Sequence, residues 1–367
     1  MTNKERILAS IRHEPVDTVP TDMWATPEMI RKILAYYGID SKEEHSTPSV
    51  MLNGGRIDCA PESIIELWQR LNVDGIFNVT PPYKGPELSE VAGVQYNEWG
   101  MGFRKQRYRD GEYLEQVFFP LSDSAETDGY RWPDPDWYNY GALPGLIERC
   151  AGRAVNVGYT ALFYYHNMLR GLELSLTDPV LEPELTRHLI KRLSLFFHEF
   201  HQRCFDVAGK LIDTTQVTDD FGSQNGLLIS PDRFKQFYRE PMKQAIDLAK
   251  SYNIYVYHHD DGDIRELIPE LVEMGIDILN PIQWRCGNWN LRVLKGDFGD
   301  RVCFHSGVDN QVTLPFGTQQ EVREEVRWLV SELHNDRSGF IVCSSHNLQV
   351  NTPIENVVAL YEEARNL

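Results

Sequence analysis

From about residue 150 onward, short apolar runs rich in β-branched and aromatic residues alternate with stretches whose apolar positions recur every three or four residues. That alternation predicts βα units and a parallel sheet. The runs are AVNVGYT at 154–160, LIDTTQVT at 211–218, IYVYH at 254–258, IDILN at 276–280, VCFHS at 302–306 and FIVCS at 340–344. TVPTDMW at 18–24 and VDGIFNV at 73–79 bring the expected strands to eight. Eight strands mostly separated by helices predict an α/β chain closed as a (β/α)8 TIM barrel rather than an open sheet. The helices carry matching signals. Leu185, Leu189, Leu193, Phe196, Phe200 and Cys204 form one buried stripe. Ser230–Pro231, Thr318 with Glu321, and Thr352–Pro353 with Glu355 read as helix starts.

One segment, about 80–150, breaks the alternation. EWGMGFRKQRYRDGEYLEQVFFPL places β-forming residues on both sides of Asp110–Gly111, a hairpin signal. The irregular RWPDPDWYNYGALPG follows. We read the segment as an insertion between strands two and three, covering part of the barrel mouth within a single domain spanning 1–367.

Composition narrows the function classes. The chain has 42% hydrophobic and 25% charged residues, an ordinary globular balance. A formal net charge of -18 disfavours nucleic acid and anionic lipid as partners. No apolar run approaches the ~18 residues of a membrane span, and the opening MTNKERILASIRHEP lacks the apolar core of a secretory signal. A cytoplasmic protein is the simplest expectation. Cys59, Cys150, Cys204, Cys286, Cys303 and Cys343 are scattered without a CxxC pair, which fits reduced core residues. Dinucleotide, P-loop and GxSxG motifs are absent.

In a barrel of this type the site lies where strands end at their C-termini. The fifth strand ends in YHHDDGD, 257–263. Period-two alternation puts His259 with Asp261 on one side and His258 with Asp260 on the other. His259 and Asp261 can supply two ligands to zinc, or form a hydrogen-bonded polar rim without metal. The fourth strand runs into TDDFGSQNG, where Asp219 and Asp220 are candidate ligands, bases or substrate anchors, and Gln224 a substrate contact; an Asx-type turn is the alternative. HSGVDNQ brings His305 and Asp309 to the same rim, and SSHNLQ brings His346 and Gln349. A loop histidine such as His346 suits acid/base work or ligation. His188, His198 and His201 lie on a helical stretch and read as surface or packing residues.

Five stretches carry a resemblance: RILASIRHEPVDTVPTDMW, TDDFGSQNGLLISPDRFKQFYREPMK, HHDDGDIRELIPELVEMGIDILNPIQ, HSGVDNQVTLPFGTQQEVREEVRWLV and IVCSSHNLQVNTPIENVVALYEEA. In this order they resemble the uroporphyrinogen decarboxylase superfamily across nearly the whole chain, which independently implies the barrel. His346 matches the family's histidine after the last strand, and Tyr159 its tyrosine. Decarboxylases of the family hold a polycarboxylate with arginines after the first strand and an aspartate after the second. Here no arginine lies between Trp24 and Arg31, and Asn78 and Thr80 stand where the aspartate is expected.

The chain is more similar to the family's corrinoid-dependent methyltransferases, through NPIQ at 280–283 and EWG at 98–100. The coenzyme M methyltransferases among these bind zinc through a His-x-Cys pair and a later cysteine. Here Asp261 replaces the first cysteine, and Ser345–His346 lies near the last ligand. The resemblance thus implies a harder zinc site of His259, Asp261 and His346. Rim placement and resemblance together lead us to expect catalytic roles for His346, Asp220, Tyr159 and His305, and substrate contacts from Trp24, Asn78, Asp219, Gln224, Gln283, Asp309 and Gln349. Its implied reaction moves a methyl group between a small substrate and a corrinoid carried by a separate protein, with a homodimer also compatible. Decarboxylation, or ligand binding without either activity, are the competing readings.

Overall fold

Buried β-branched runs pair side by side as parallel strands in the computed structural model, which describes residues 1–40, 60–108, 111–123, 127 and 129–367. The strands are β1 (Ile76–Val79), β6 (Ala154–Ala161), β7 (Thr214–Thr218), β10 (Tyr255–His259), β11 (Ile278–Asn280), β12 (Cys303–His305) and β13 (Phe340–Ile341). They form a seven-stranded sheet in that order, each paired in parallel with the next. Every residue of β7 is buried, as expected for a strand covered on both faces.

The ring closes through residues 20–25, where a regular first strand was expected. Thr21 bridges Val342, and Ala25 bridges Leu348. On the other side Gly75 donates its N–H to the Thr21 carbonyl at 3.0 Å. The neighbouring rung is irregular: Ile76 N–H donates to the Asp22 side chain at 2.9 Å instead of to a carbonyl. Pro20, lacking an N–H, can only accept, from Val342. This segment is therefore an eighth stave without being a regular strand, which corrects the expectation for 18–24.

Helices cover the outside. Pro183–Ala208 buries Leu189, Leu193, Phe196, Phe200 and Cys204 as the periodicity predicts, while Leu185 is only half-buried. His201 is buried on this helix, and His188 and His198 are exposed. Ser230 caps Pro231–Phe237, and Thr318 with Glu321 forms a full capping box on Gln319–Leu333. Thr352 does not cap: the last helix, Ile354–Arg365, starts after Pro353 without a side-chain cap. Cys150, Cys204, Cys286, Cys303 and Cys343 are free and buried; Cys59 lies outside the described residues. Among the described residues no helix is long and apolar enough to cross a membrane.

The insertion is richer than one hairpin. β2 (Glu90–Val91), β3 (Val94–Tyr96), β4 (Gly102–Tyr108) and β5 (Gly111–Phe118) form a four-stranded antiparallel sheet. β4 and β5 pair around the expected turn, whose residues 109–110 are outside the described set. The unexpected β2–β3 turn uses Ala92 at φ 52° and Gly93 at φ 75°. Two left-handed residues match the strand twist, but alanine there leaves a weak sequence signal.

Candidate functional site at the barrel mouth

The site is built from the C-terminal ends of the staves. β10 leads straight into Asp260–Asp263, and alternation separates its side chains as expected. His258 and Asp260 are fully buried, with His258 Nδ1 2.8 Å from the Val217 carbonyl and Asp260 accepting from Gly222 N–H at 3.0 Å. His259 and Asp261 turn to the mouth and meet His346. Each of the three offers one ligand atom, and these atoms lie within 4.8 Å of one another.

His346 Nε2 is 3.2 Å from Asp261 Oδ2, and His259 Nε2 is 3.8 Å from Asp261 Oδ1 and 3.9 Å from Asp220 Oδ1. Two short β-strands, β8 (Gly222–Ser223) and β9 (Gly226–Leu227), fold the preceding loop beside this group. The approach depends on two glycines. A Cβ on Gly222 would stand 2.2 Å from the Asp261 carbonyl oxygen, and one on Gly262 would stand 2.5 Å from that of Ser223.

Burial and charge work against each other here. Burial disfavours the His259 cation, but the Asp261 and Asp220 carboxylates more than offset it, so its pKa rises. Burial pushes His346 down, partly opposed by Asp261. Burial raises the Asp220 carboxyl, with His259 pulling the other way. Tyr159, half-buried on β6, has its phenol held well above its ordinary value by burial, with the Tyr164 hydroxyl and the Asp220 charge adding to the effect.

A cavity of about 390 Å³ opens beside the cluster, lined by Gly222, Ser223, Gln224, Asp261, Gly262, Gln283, Asn310, Gln311 and His346. Among the described residues it is lined by amides, a carboxylate and an imidazole, with no lysine or arginine. Arg285 approaches this rim but is committed to Asp309 at 2.9 Å and Glu325 at 3.5 Å. Gln283 ties the floor together, donating to Asp261 at 2.9 Å and accepting from Gly262 N–H at 2.7 Å. Gln224 lines the same cavity beside the Cys286 thiol.

Other expected site residues are placed differently. Asp219 accepts the backbone N–H groups of Phe163 and Tyr164 at 2.9 and 2.6 Å, anchoring the start of helix Leu162–Arg170. Asp309 accepts from the N–H groups of Gln311, Val312 and Thr313, folding its own loop. Both carboxylates are engaged by backbone donors that shape the rim. Gln349 is exposed and donates to the Asn347 carbonyl, outside the cavity lining. Asn78 is exposed near the end of β1 and lines a small void shared with Asp22, Trp24 and Gln216.

His305 lies behind the mouth rather than on it. Its Nε2 is 3.0 Å from Asp22 Oδ2, and its Nδ1 is 2.7 Å from Asn280 Nδ2 and 3.1 Å from the Tyr257 hydroxyl. Asn280 Oδ1 in turn is 2.5 Å from His259 Nδ1. Trp24 packs over this row, 5.3 Å from the His259 ring, and donates its Nε1–H to Asp22 at 3.1 Å. Asp22, Asn280 and Tyr257 escaped the sequence reading as site residues. Asp22 shares an alternation face with Trp24, the one signal that pointed to it.

Comparisons with known proteins agree with this architecture. A methyltransferase from Methanosarcina mazei superposes with a TM-score of 0.68 over 100% of this chain and 99% of its own, at 16% identity, a likeness of fold. Uroporphyrinogen decarboxylase 2, chloroplastic, of Oryza sativa subsp. japonica is 22% identical over 192 residues, 51% of this chain and 44% of the rice protein. The chain thus matches less than half the length of that curated relative. Residues 159–367, more than half the chain, match the family described as Uroporphyrinogen decarboxylase (URO-D). The chain belongs to the uroporphyrinogen decarboxylase family.

Proposed function

We propose that this chain is a methyltransferase that moves a methyl group between a small substrate in the mouth cavity and a corrinoid carried by a separate protein. The observation that carries the reading is the His259–Asp261–His346 cluster opening onto that cavity. Two imidazoles and a carboxylate suit zinc, and bound ligand distances of ~2.0–2.2 Å imply neighbouring donor atoms ~3.3 Å apart in a tetrahedron. The 3.2 Å between His346 Nε2 and Asp261 Oδ2 is close to that spacing, and one donor atom from each of the three residues lies within 4.8 Å of the others. The residues fit the metal, which would supply Lewis acidity to a methylated heteroatom and leave a coordination position open.

The chain's own residues do the rest. Gln224, Gln283, Asn310 and Gln311 orient the substrate by hydrogen bonds. Asp220, the further carboxyl beside His259, holds a proton for the departing group. Tyr159 remains a neutral phenol beside it. A carboxylate ligand in place of thiolate makes the site harder and favours oxygen or nitrogen over sulfur as the methyl-bearing atom.

A decarboxylase acting on a polycarboxylate would need concentrated positive charge, whereas among the described residues this cavity presents Asp261 and no basic side chain apart from His346. The test is metal content plus turnover. We expect stoichiometric zinc, lost in His259→Ala and His346→Ala, and a donor-dependent change in the cobalt spectrum of a reduced corrinoid protein. A metal-free protein that decarboxylates uroporphyrinogen would overturn the reading.

A further inference from the structure

We infer that Asp22, His305 and Asn280 are positioning residues that fix the tautomer of His259 and leave its Nε2 lone pair facing Asp261 and His346. The inference rests on the metal reading above for its purpose, but the hydrogen-bond argument stands on geometry alone.

The chain of bonds has one consistent direction. Asp22 receives Ile76 N–H on Oδ1, and Trp24 Nε1–H and His305 Nε2 on Oδ2. Surrounded by donors, this carboxylate assigns the proton of His305 to Nε2. His305 Nδ1 is then an acceptor, and it faces both the Asn280 amide nitrogen and the Tyr257 hydroxyl. That contact fixes which way the Asn280 amide points, so its oxygen is presented to His259. An amide oxygen can only accept, so His259 carries its proton on Nδ1. Its Nε2 is left with the lone pair, on the side of Asp261, Asp220 and His346.

The reverse arrangement works against ligation through Nε2 and would make His305 a cation paired with Asp22. If Asn280 turned its nitrogen to His259, that ring would protonate Nε2 and could not ligate through it. His305 would then need protons on both nitrogens. Asp22, Asn280 and His305 are each 2% exposed or less, so bulk solvent does not reach them. An outer partner ending in a carboxylate is the arrangement that sets ring orientation and basicity at histidine ligands.

The test reads the tautomer directly, on the full chain before and after adding zinc. With ¹⁵N-labelled histidine, at a pH above the raised pKa of His259 so that the ring is neutral, we expect the metal-free protein to show His259 protonated at Nδ1 and bare at Nε2, assigned by comparison with His259→Gln. Asp22→Asn and Asn280→Leu should mix or reverse that tautomer and weaken zinc binding ~10–100-fold. Asn280→Asp, which keeps an acceptor toward His259, should retain the tautomer. Wild-type His259 protonated at Nε2, or an unchanged tautomer and zinc affinity in folded Asn280→Leu, would sink the inference. If Asn280→Leu fails to fold, the wild-type tautomer and Asp22→Asn decide. A correct tautomer in a protein that binds no zinc would instead sink the metal reading and leave the positioning chain intact.

Discussion

His346 Nε2 stands 3.2 Å from Asp261 Oδ2, so the loop after the eighth stave and the loop after the fifth meet on one carboxylate. Asp261 also approaches His259 and accepts from Gln283. It is the shared corner of the site.

Removing that corner should separate binding from stability. Asp261→Ala is expected to lower zinc affinity by at least ~100-fold, beyond the range for outer partners. The melting temperature should change by only a few degrees, because the side chain is about a third exposed (35%). Competition with a chromogenic chelator and a thermal melt check the two halves. Unchanged affinity would remove Asp261 from the ligand set.

Asp219 should behave in the opposite way. Its carboxylate satisfies two backbone donors at the start of Leu162–Arg170. Asp219→Ala is expected to cost ~1–2 kcal/mol in urea unfolding, the order of a lost helix cap. Zinc stoichiometry should be unaltered.

Gly222→Val tests the close approach of two loops. Its Cβ would collide with the Asp261 carbonyl and the Ile264 side chain. Because one of these is backbone, the loop must move, at ~1–3 kcal/mol. Zinc affinity should fall with it. Gly226→Ala, whose added Cβ meets nothing within 4 Å, is the control for steric crowding, although its φ of +137° adds backbone strain of its own.

A pH effect should come from His201, away from the mouth. Burial, with the His198 charge adding to it, pushes this histidine down to about 3 from 6.5. The unfolded chain therefore binds the extra proton first. His201 favours the fold fully above about pH 6.5 and loses that contribution as the pH falls toward 3. His201→Gln should flatten unfolding free energy against pH in this window by up to about one proton, ~1.4 kcal/mol per pH unit. Buried His334, pushed down to about 4, will keep part of the slope.

Seven staves were legible because largely buried strands leave short runs rich in β-branched and aromatic residues, β-branched in β7 and aromatic in β10. The stave at 20–25 was legible only as a position. Its irregularity comes from Pro20 and from a side chain replacing a carbonyl, neither of which periodicity records. At the site, period two separated His259 and Asp261 from His258 and Asp260. It did not distinguish Asp220, facing the cluster, from Asp219 and Asp309, held by backbone N–H groups. That difference depends on where helix Leu162–Arg170 and the loop after β12 begin, a tertiary fact. Asn280 was quoted in a motif, but its role depends on His305 from another strand.

Asp22 belongs to two structures at once. One oxygen stitches the stave at 20–25 to Ile76, and the other ends the row leading to His259. The opposite edge of the same stave is held by Val342, four residues before His346. A folding intermediate with this seam open would therefore lack an oriented His259 and a fixed His346 together. Metal capture would then report ring closure, and zinc uptake during refolding should lag secondary structure and coincide with the final docking of the chain's early and late segments.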